Sequence, residues 1–253
     1  FSHAVSGATV HDFFNILAVI ILLPIEITFH PLKYCATGMK DVFVGVGGLT
    51  VVSPLKLITH PVTHQLKDFL TVYFSKTHTG LIFIILGLVM LFLALKAIVS
   101  STRYFVVGKG EKLIKNYLFG TALVSFLLGL IFTSIVQSSS ITTSLIIPLV
   151  GAGVLTVEKI FPYTLGANVG TTVTAILAAL ATGSPAGITI AFVHLLFNVF
   201  GICVIYPMRK VPIAFAKMLG KLAAERKTIA ILYVILIFYI MPIIYILITR
   251  VIK

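Results

Sequence analysis

Hydrogen-bonding side chains crowd into one uncharged stretch of this sequence, residues 133–144. Nine of these twelve residues carry a hydroxyl or amide group, and the run QSSS occupies 137–140. Hydroxyl and carbonyl oxygens suit hard cations such as sodium, whereas the N–H groups at the start of a helix suit anions. Two interpretations stay open from the residues alone: these groups join helices by packing and hydrogen bonds, or they bind a transported species.

A second polar cluster follows at 165–174, with the sequence LGANVGTTVT. It offers Asn168, Thr171 and Thr174 between glycines that permit non-helical backbone. Together with the interrupted segment SLIIPLVGAGVL, this predicts re-entrant or discontinuous helices between 137 and 182, buried in protein or facing a watery cavity. An unwound turn exposes carbonyl oxygens, so we expect a site for sodium and not for zinc.

We expect membrane helices to carry both polar clusters. The chain has 253 residues, of which 59% are hydrophobic and only 10% charged, and its mean hydropathy is +1.14. The uncharged runs are too long and too weakly alternating for barrel strands, so the fold class is an all-α polytopic membrane protein. The predicted spans are 12–30, 79–100, 116–136, 186–208 and 228–249.

The net charge of +12 reflects membrane orientation and not a nucleic-acid partner. Basic residues concentrate in 101–115 and 209–227, which the positive-inside rule places in the cytoplasm. The segment 31–78 then lies outside.

An internal repeat relates the first span to the fourth. At one constant offset His11 and Asn15 match His194 and Asn198, and Pro24 matches Pro207. The copies run toward opposite sides, as in secondary transporters built from inverted repeats. Each His and Asn pair is spaced to share a helix face, where we favour a bridge between helices over direct contact with the transported species. The counterpart of QSSS in the first copy would precede residue 1, so we expect the chain to lack most of its first repeat.

These patterns predict a linear organisation in which two repeats flank an external segment and a linking helix. The predicted parts are 1–30, the end of the first repeat; 31–78, the external segment; 79–115, a linking membrane helix and cytoplasmic loop; 116–208, the second repeat with the QSSS hairpin and the broken helix; and 209–253, a cytoplasmic loop and C-terminal membrane helix.

At these motifs the chain resembles the type II sodium–phosphate cotransporter family. The resemblance rests on QSSS at 137–140, GANVGTT at 166–172 and GATVHDFFN followed by LLPIE within 7–26. It implies an inverted-repeat transporter that carries inorganic phosphate inward with sodium by alternating access. It implies phosphate binding by four consecutive residues and sodium binding by the first of them together with the Thr-rich segment. The implied phosphate ligands are Gln137, Ser138, Ser139 and Ser140, and the sodium ligands are Gln137, Thr171 and Thr174, to which the polar cluster adds Asn168.

The expected location is a cell membrane. The external segment is short and has no N-x-S/T sequence, which favours a bacterial member and hence the inner membrane. We expect no cofactor beyond sodium as co-substrate, no enzymatic activity, and phosphate, sodium and lipid as partners; the oligomeric state stays open. The alternatives are a sodium-coupled symporter of another oxyanion such as sulfate or arsenate, and an ion channel or structural membrane subunit.

Overall fold

The computed structural model describes residues 1–43, 54–106, 118–182 and 184–251, and these residues form helices joined by short turns. The helices are α1 Ser2–Phe29, α2 Pro31–Phe43, α3 Pro54–Tyr73, α4 Lys76–Val106, α5 Ala122–Val136, α6 Ser139–Gly151, α7 Val157–Thr182, α8 Pro185–Ile205, α9 Lys210–Glu225, α10 Lys227–Ile235 and α11 Met241–Val251. A π-helical turn, Leu236–Ile240, joins α10 to α11 without interrupting the rod.

Helices long and apolar enough to cross a bilayer define an all-α polytopic membrane protein. In the described part of the chain five segments meet this standard: Ser2–Phe29, Lys76–Ala94, Val157–Thr182, Pro185–Ile205 and Lys227–Leu247. Four of them correspond to predicted spans, although α1 begins ten residues earlier than 12–30 because its polar His, Asp and Thr residues concealed its first turns. The fifth, α7, was predicted to be broken.

The QSSS run lies at a break between two short helices. α5 has 15 residues and α6 has 13, which at about 1.5 Å per residue gives roughly 20 Å each, less than the roughly 30 Å hydrocarbon core. The prediction of a complete membrane span at 116–136 is therefore wrong, because α5 is only one arm of a helical hairpin. Residues 116–117 and most of the preceding basic loop lie outside the described residues.

The helix α7 is continuous through GANVG, so the prediction of an unwound turn at 166–172 is wrong. Its glycines instead allow close helix packing: a Cβ atom on Gly166 would lie 1.9 Å from the carbonyl oxygen of Phe126, and one on Gly129 would lie 2.0 Å from that of Tyr163. Gly166 faces Phe126, and one turn later Gly170 faces Leu130, so residue numbers increase in the same direction along both helices. α5 and α7 therefore run parallel, as expected when α6 turns back between them.

The hydrophobic core forms around α1. Val10 and Phe14 are fully buried against residues of α6 and α7 such as Val150 and Phe161. α1 also packs closely on α9, where a Cβ atom on Gly220 would lie 2.1 Å from Ser6 Oγ. By contrast, α10 has no buried side chains and exposes its apolar surface, as a helix surrounded by lipid does. α1 thus holds the hairpin and α7 in fixed positions around the polar residues described next.

Candidate functional site

A polar cavity of about 260 Å³ lies among α1, α6, α7 and α8. Its lining combines amide, hydroxyl and imidazole groups with one aromatic ring. The lining residues are Asn15, Ser139, Asn168, Thr171, His194, Phe197 and Asn198. Six of these seven belong to the residues singled out from the sequence, and they come from four helices that are distant in the chain.

An asparagine network connects three helices along this cavity. Asn168 Nδ2 donates a hydrogen bond to Asn15 Oδ1 at 3.0 Å, which links α7 to α1. Asn198 Nδ2 donates to the backbone oxygen of Asn168 at 3.4 Å, which links α8 to α7. Asn15 and Asn198, which match at the constant sequence offset described above, therefore both bond to Asn168.

The QSSS break directs the start of α6 toward the cavity. Gln137 adopts the left-handed conformation with φ 57°, and its N–H closes α5 by donating to Thr133 O at 2.6 Å. Ser138 then caps α6 by accepting from Ile141 N at 3.4 Å. Serine is a preferred N-cap residue, so the sequence itself ends one helix here and begins the next. Ser139, the first residue of α6, lines the cavity, and the free N–H groups of this helix start favour an anion.

The other predicted ligands lie outside the cavity lining. Ser140 is exposed, whereas Gln137 and Ser138 are half-buried and shape the break. Thr174 lies one turn beyond Gly170, and its hydroxyl is buried without a hydrogen-bond partner among the described residues. The fully buried hydroxyl of Thr133 likewise has no hydrogen-bond partner among the described residues. Such groups cost free energy unless a water or ion satisfies them.

His11 does not share the cavity with Asn15. Its Nε2 lies 3.1 Å from Asp12 Oδ1, and only 12% of the Asp12 side chain is exposed. Tyr233 donates its hydroxyl proton to Asp12 Oδ2 at 3.2 Å. Asp12 was not among the candidate residues predicted from the sequence, although an acidic residue inside an apolar span is the signal that identifies functional positions in membranes. Phe197 was also missed, because an aromatic residue in an apolar helix gives no such signal.

The donor set of the cavity fits a hard cation better than a transition metal. Asn15, Asn168, Ser139 and Thr171 bring neutral amide and hydroxyl oxygen atoms to the cavity lining, the atom type that hard cations prefer. Thr171 Oγ1 already donates to Ala167 O at 3.0 Å, which leaves its lone pairs available. Among the described residues no group of three or more His, Cys, Asp or Glu side chains could hold a metal ion.

These features define a polytopic membrane protein in which the break in a helical hairpin meets a polar cavity between α1 and α8. Comparison with known proteins then identifies the family. The model of the Na+/Pi-cotransporter family matches residues 90–224, more than half of the chain. The chain belongs to this family.

Mammalian relatives match nearly the whole chain. It is 30% identical to sodium-dependent phosphate transport protein 2B of Homo sapiens, over 96% of this chain and 48% of that protein. It is 31% identical to sodium-dependent phosphate transport protein 2A of Rattus norvegicus, over 96% of this chain and 49% of that protein. The chain thus spans about half the length of these relatives. No solved structure matches it.

Proposed function

We propose that this chain forms part of a sodium-coupled symporter that carries inorganic phosphate into the cell by alternating access. The observation that carries the proposal is the meeting of the α6 start with the asparagine-lined cavity between α1 and α8. Substrate sites of secondary transporters lie between inverted repeats, where helix starts face anions and oxygen atoms face cations. The printed names of the mammalian relatives, sodium-dependent phosphate transport proteins, supply the two solutes.

Phosphate is assigned to the start of α6. In the proposal Ser139 binds it directly, Ser138 fixes the helix start, and Ser140 faces the outer side of the same turn. Gln137 adopts a left-handed backbone conformation that glycine would adopt more easily, which favours a role for its amide side chain toward phosphate and sodium. The cavity lining contains no Lys or Arg. Co-bound sodium would then provide the positive charge, which makes coupled binding of the two ions favourable.

Sodium is assigned to the oxygen atoms along α7. Asn168 and Thr171 line the cavity, and the unsatisfied hydroxyl of Thr174 lies further along the same helix. In this assignment Asn15 supports the ligands from α1, and His194 and Asn198 support them from α8. His11 contacts Asp12 and stays outside the cavity.

The proposed location is a cell membrane, and the inner membrane of a bacterium in particular. The short external segment without an N-x-S/T sequence supports this location. We expect no cofactor other than sodium as co-substrate, and no catalysis of a chemical reaction.

Uptake of radiolabelled phosphate into proteoliposomes tests the proposal. An inward sodium gradient should drive saturable uptake, whereas an equal potassium gradient should not. Competition by sulfate and arsenate then separates phosphate from other tetrahedral oxyanions. Uptake that does not saturate or does not depend on sodium would instead favour a channel or a structural subunit.

A further inference from the structure

A second cavity, unlike the first in its lining, lies among α5, α7 and α8. It measures about 360 Å³, and every residue lining it is apolar or aromatic. α5 contributes Ala122, Leu123 and Phe126, α7 contributes Leu165, and Tyr206 closes the end beyond α8. We call this cavity the apolar groove. Its size and lining suit a hydrocarbon chain.

A positive charge lies at the rim of the apolar groove. The guanidinium carbon of Arg209 lies 5.0 Å from the centroid of the Tyr206 ring. The Tyr206 ring is itself held by stacking on Phe161, with ring centroids 6.4 Å apart and planes 3° apart. None of the ion pairs among the described residues involves Arg209. This cation is therefore positioned by an aromatic ring and has no carboxylate partner in the described part of the chain.

The start of α5 adds a second anion-attracting feature at the same end. Thr121 caps the helix by accepting from Val124 N at 3.3 Å. Ala122 and Leu123, the first two helical residues, line the groove and have backbone N–H groups without intrahelical acceptors. The helix start and Arg209 therefore both favour a negative headgroup at the mouth of a groove that suits an acyl chain.

The membrane orientation predicted from the basic residues places this end of the groove beside anionic lipids. Of the residues that line the groove, Ala122 follows the basic segment 101–115 in the sequence and Tyr206 precedes the basic segment 209–227. The positive-inside rule assigns both segments to the cytoplasm. The cytoplasmic leaflet carries anionic lipids, and basic pockets between membrane helices on this side bind their headgroups. We propose that the apolar groove is a binding site for one anionic phospholipid, with an acyl chain along Phe126 and Leu165 and the phosphate between Arg209 and the start of α5.

Lipid retention in native mass spectrometry tests this site. The protein, purified in a mild detergent, is titrated with phosphatidylglycerol or phosphatidylcholine of the same acyl chains. We expect one phosphatidylglycerol to bind with clear preference over phosphatidylcholine. Arg209→Gln should lower phosphatidylglycerol affinity about fivefold, the size expected for one basic residue at an anionic surface. Leu123→Trp, which fills the groove, should weaken both lipids.

Matched controls separate a site from general surface charge and hydrophobicity. Lys210→Gln removes a neighbouring exposed charge, and Ile131→Trp adds a ring elsewhere on α5, where Ile131 is 53% exposed. Both variants should bind phosphatidylglycerol as the unmodified protein does. Equal retention of the two lipids would overturn the proposal, and so would equal losses in Arg209→Gln and Lys210→Gln. Monodisperse elution in size-exclusion chromatography confirms that each variant is folded.

Discussion

Asn168 and Asn15, separated by most of the chain, are joined by a side-chain hydrogen bond of 3.0 Å at the wall of the polar cavity. The bond connects α1 to the long helix α7. Asn198 of α8 donates a hydrogen bond to the backbone oxygen of the same residue. Asn168 is therefore the point at which both α1 and α8 can influence the proposed sodium site.

Removing the acceptor in this bond should weaken the link between α1 and α7. Asn15→Ala leaves the Asn168 amide without its partner, at a cost of about 1 kcal/mol in stability. We expect a lower melting temperature in detergent and slower sodium-driven uptake. Thr28→Ala is the control on the same helix, because exposed Thr28 bonds only to Pro24 O of its own helix. Unchanged melting of Asn15→Ala would show that the bond contributes nothing.

Ser139 and Ser144 provide a matched pair for the phosphate site. Both lie on α6 and are half-buried, but only Ser139 lines the cavity. Because a hydrogen bond to a charged group contributes about 1.5 kcal/mol or more, Ser139→Ala should raise the half-saturating phosphate concentration about tenfold. Ser144→Ala should leave it unchanged. Normal kinetics for Ser139→Ala in well-expressed protein would favour helix packing as the only role of this serine.

The buried hydroxyl of Thr174 gives a test in which stability and transport change independently. Thr174→Val keeps the shape of the side chain and removes an unsatisfied polar atom, so stability without sodium should stay equal or increase. If the hydroxyl is a sodium ligand, the sodium activation curve should shift to higher concentration, and Thr171→Ala should shift it too. Thr182→Val serves as the control at the end of α7, where the hydroxyl bonds to Ala179 O. Superimposable activation curves for the two site variants would remove both residues from the site.

The close crossing of α5 and α7 predicts strong intolerance at Gly166. A Cβ atom there would lie 1.9 Å from the carbonyl oxygen of Phe126. Because the position of a Cβ is fixed by its own backbone and the carbonyl is also backbone, the two helices must separate. We expect Gly166→Ala to lose about 2 kcal/mol or more of stability and much of its monodisperse protein. Gly187→Ala is the control, since the nearest atom to its new Cβ is 3.5 Å away. Equal yields of the two variants would contradict the parallel packing.

The GANVG segment of α7 was predicted wrongly from the sequence, because it is helical and not unwound. Glycines permit both unwound backbone and close helix packing, and the sequence of α7 alone does not distinguish them. The choice depends on Gly129, a residue of another helix whose partner could not be known. The break at QSSS was easier to predict, because Ser138 caps a helix through local hydrogen bonds that the sequence itself specifies.

The sequence identified six of the seven residues that line the polar cavity, but it did not show how they are arranged in space. The match at a constant offset identified Asn15 and Asn198, and the polar cluster 165–174 identified Asn168. Their convergence depends on how three helices pack. The i, i+4 spacing also suggested that His11 would accompany Asn15, but His11 instead contacts Asp12. Asp12 and Tyr233 are far apart in the chain, so their hydrogen bond could not be read from local sequence.

The most direct test of the central claim is phosphate uptake by proteoliposomes containing the protein and Ser139→Ala side by side, under an inward sodium gradient or an equal potassium gradient. We expect saturable, sodium-dependent uptake by the unmodified protein and a higher half-saturating phosphate concentration for the variant. Uptake that is the same in sodium and potassium, from protein shown to be folded, would contradict the proposed symport.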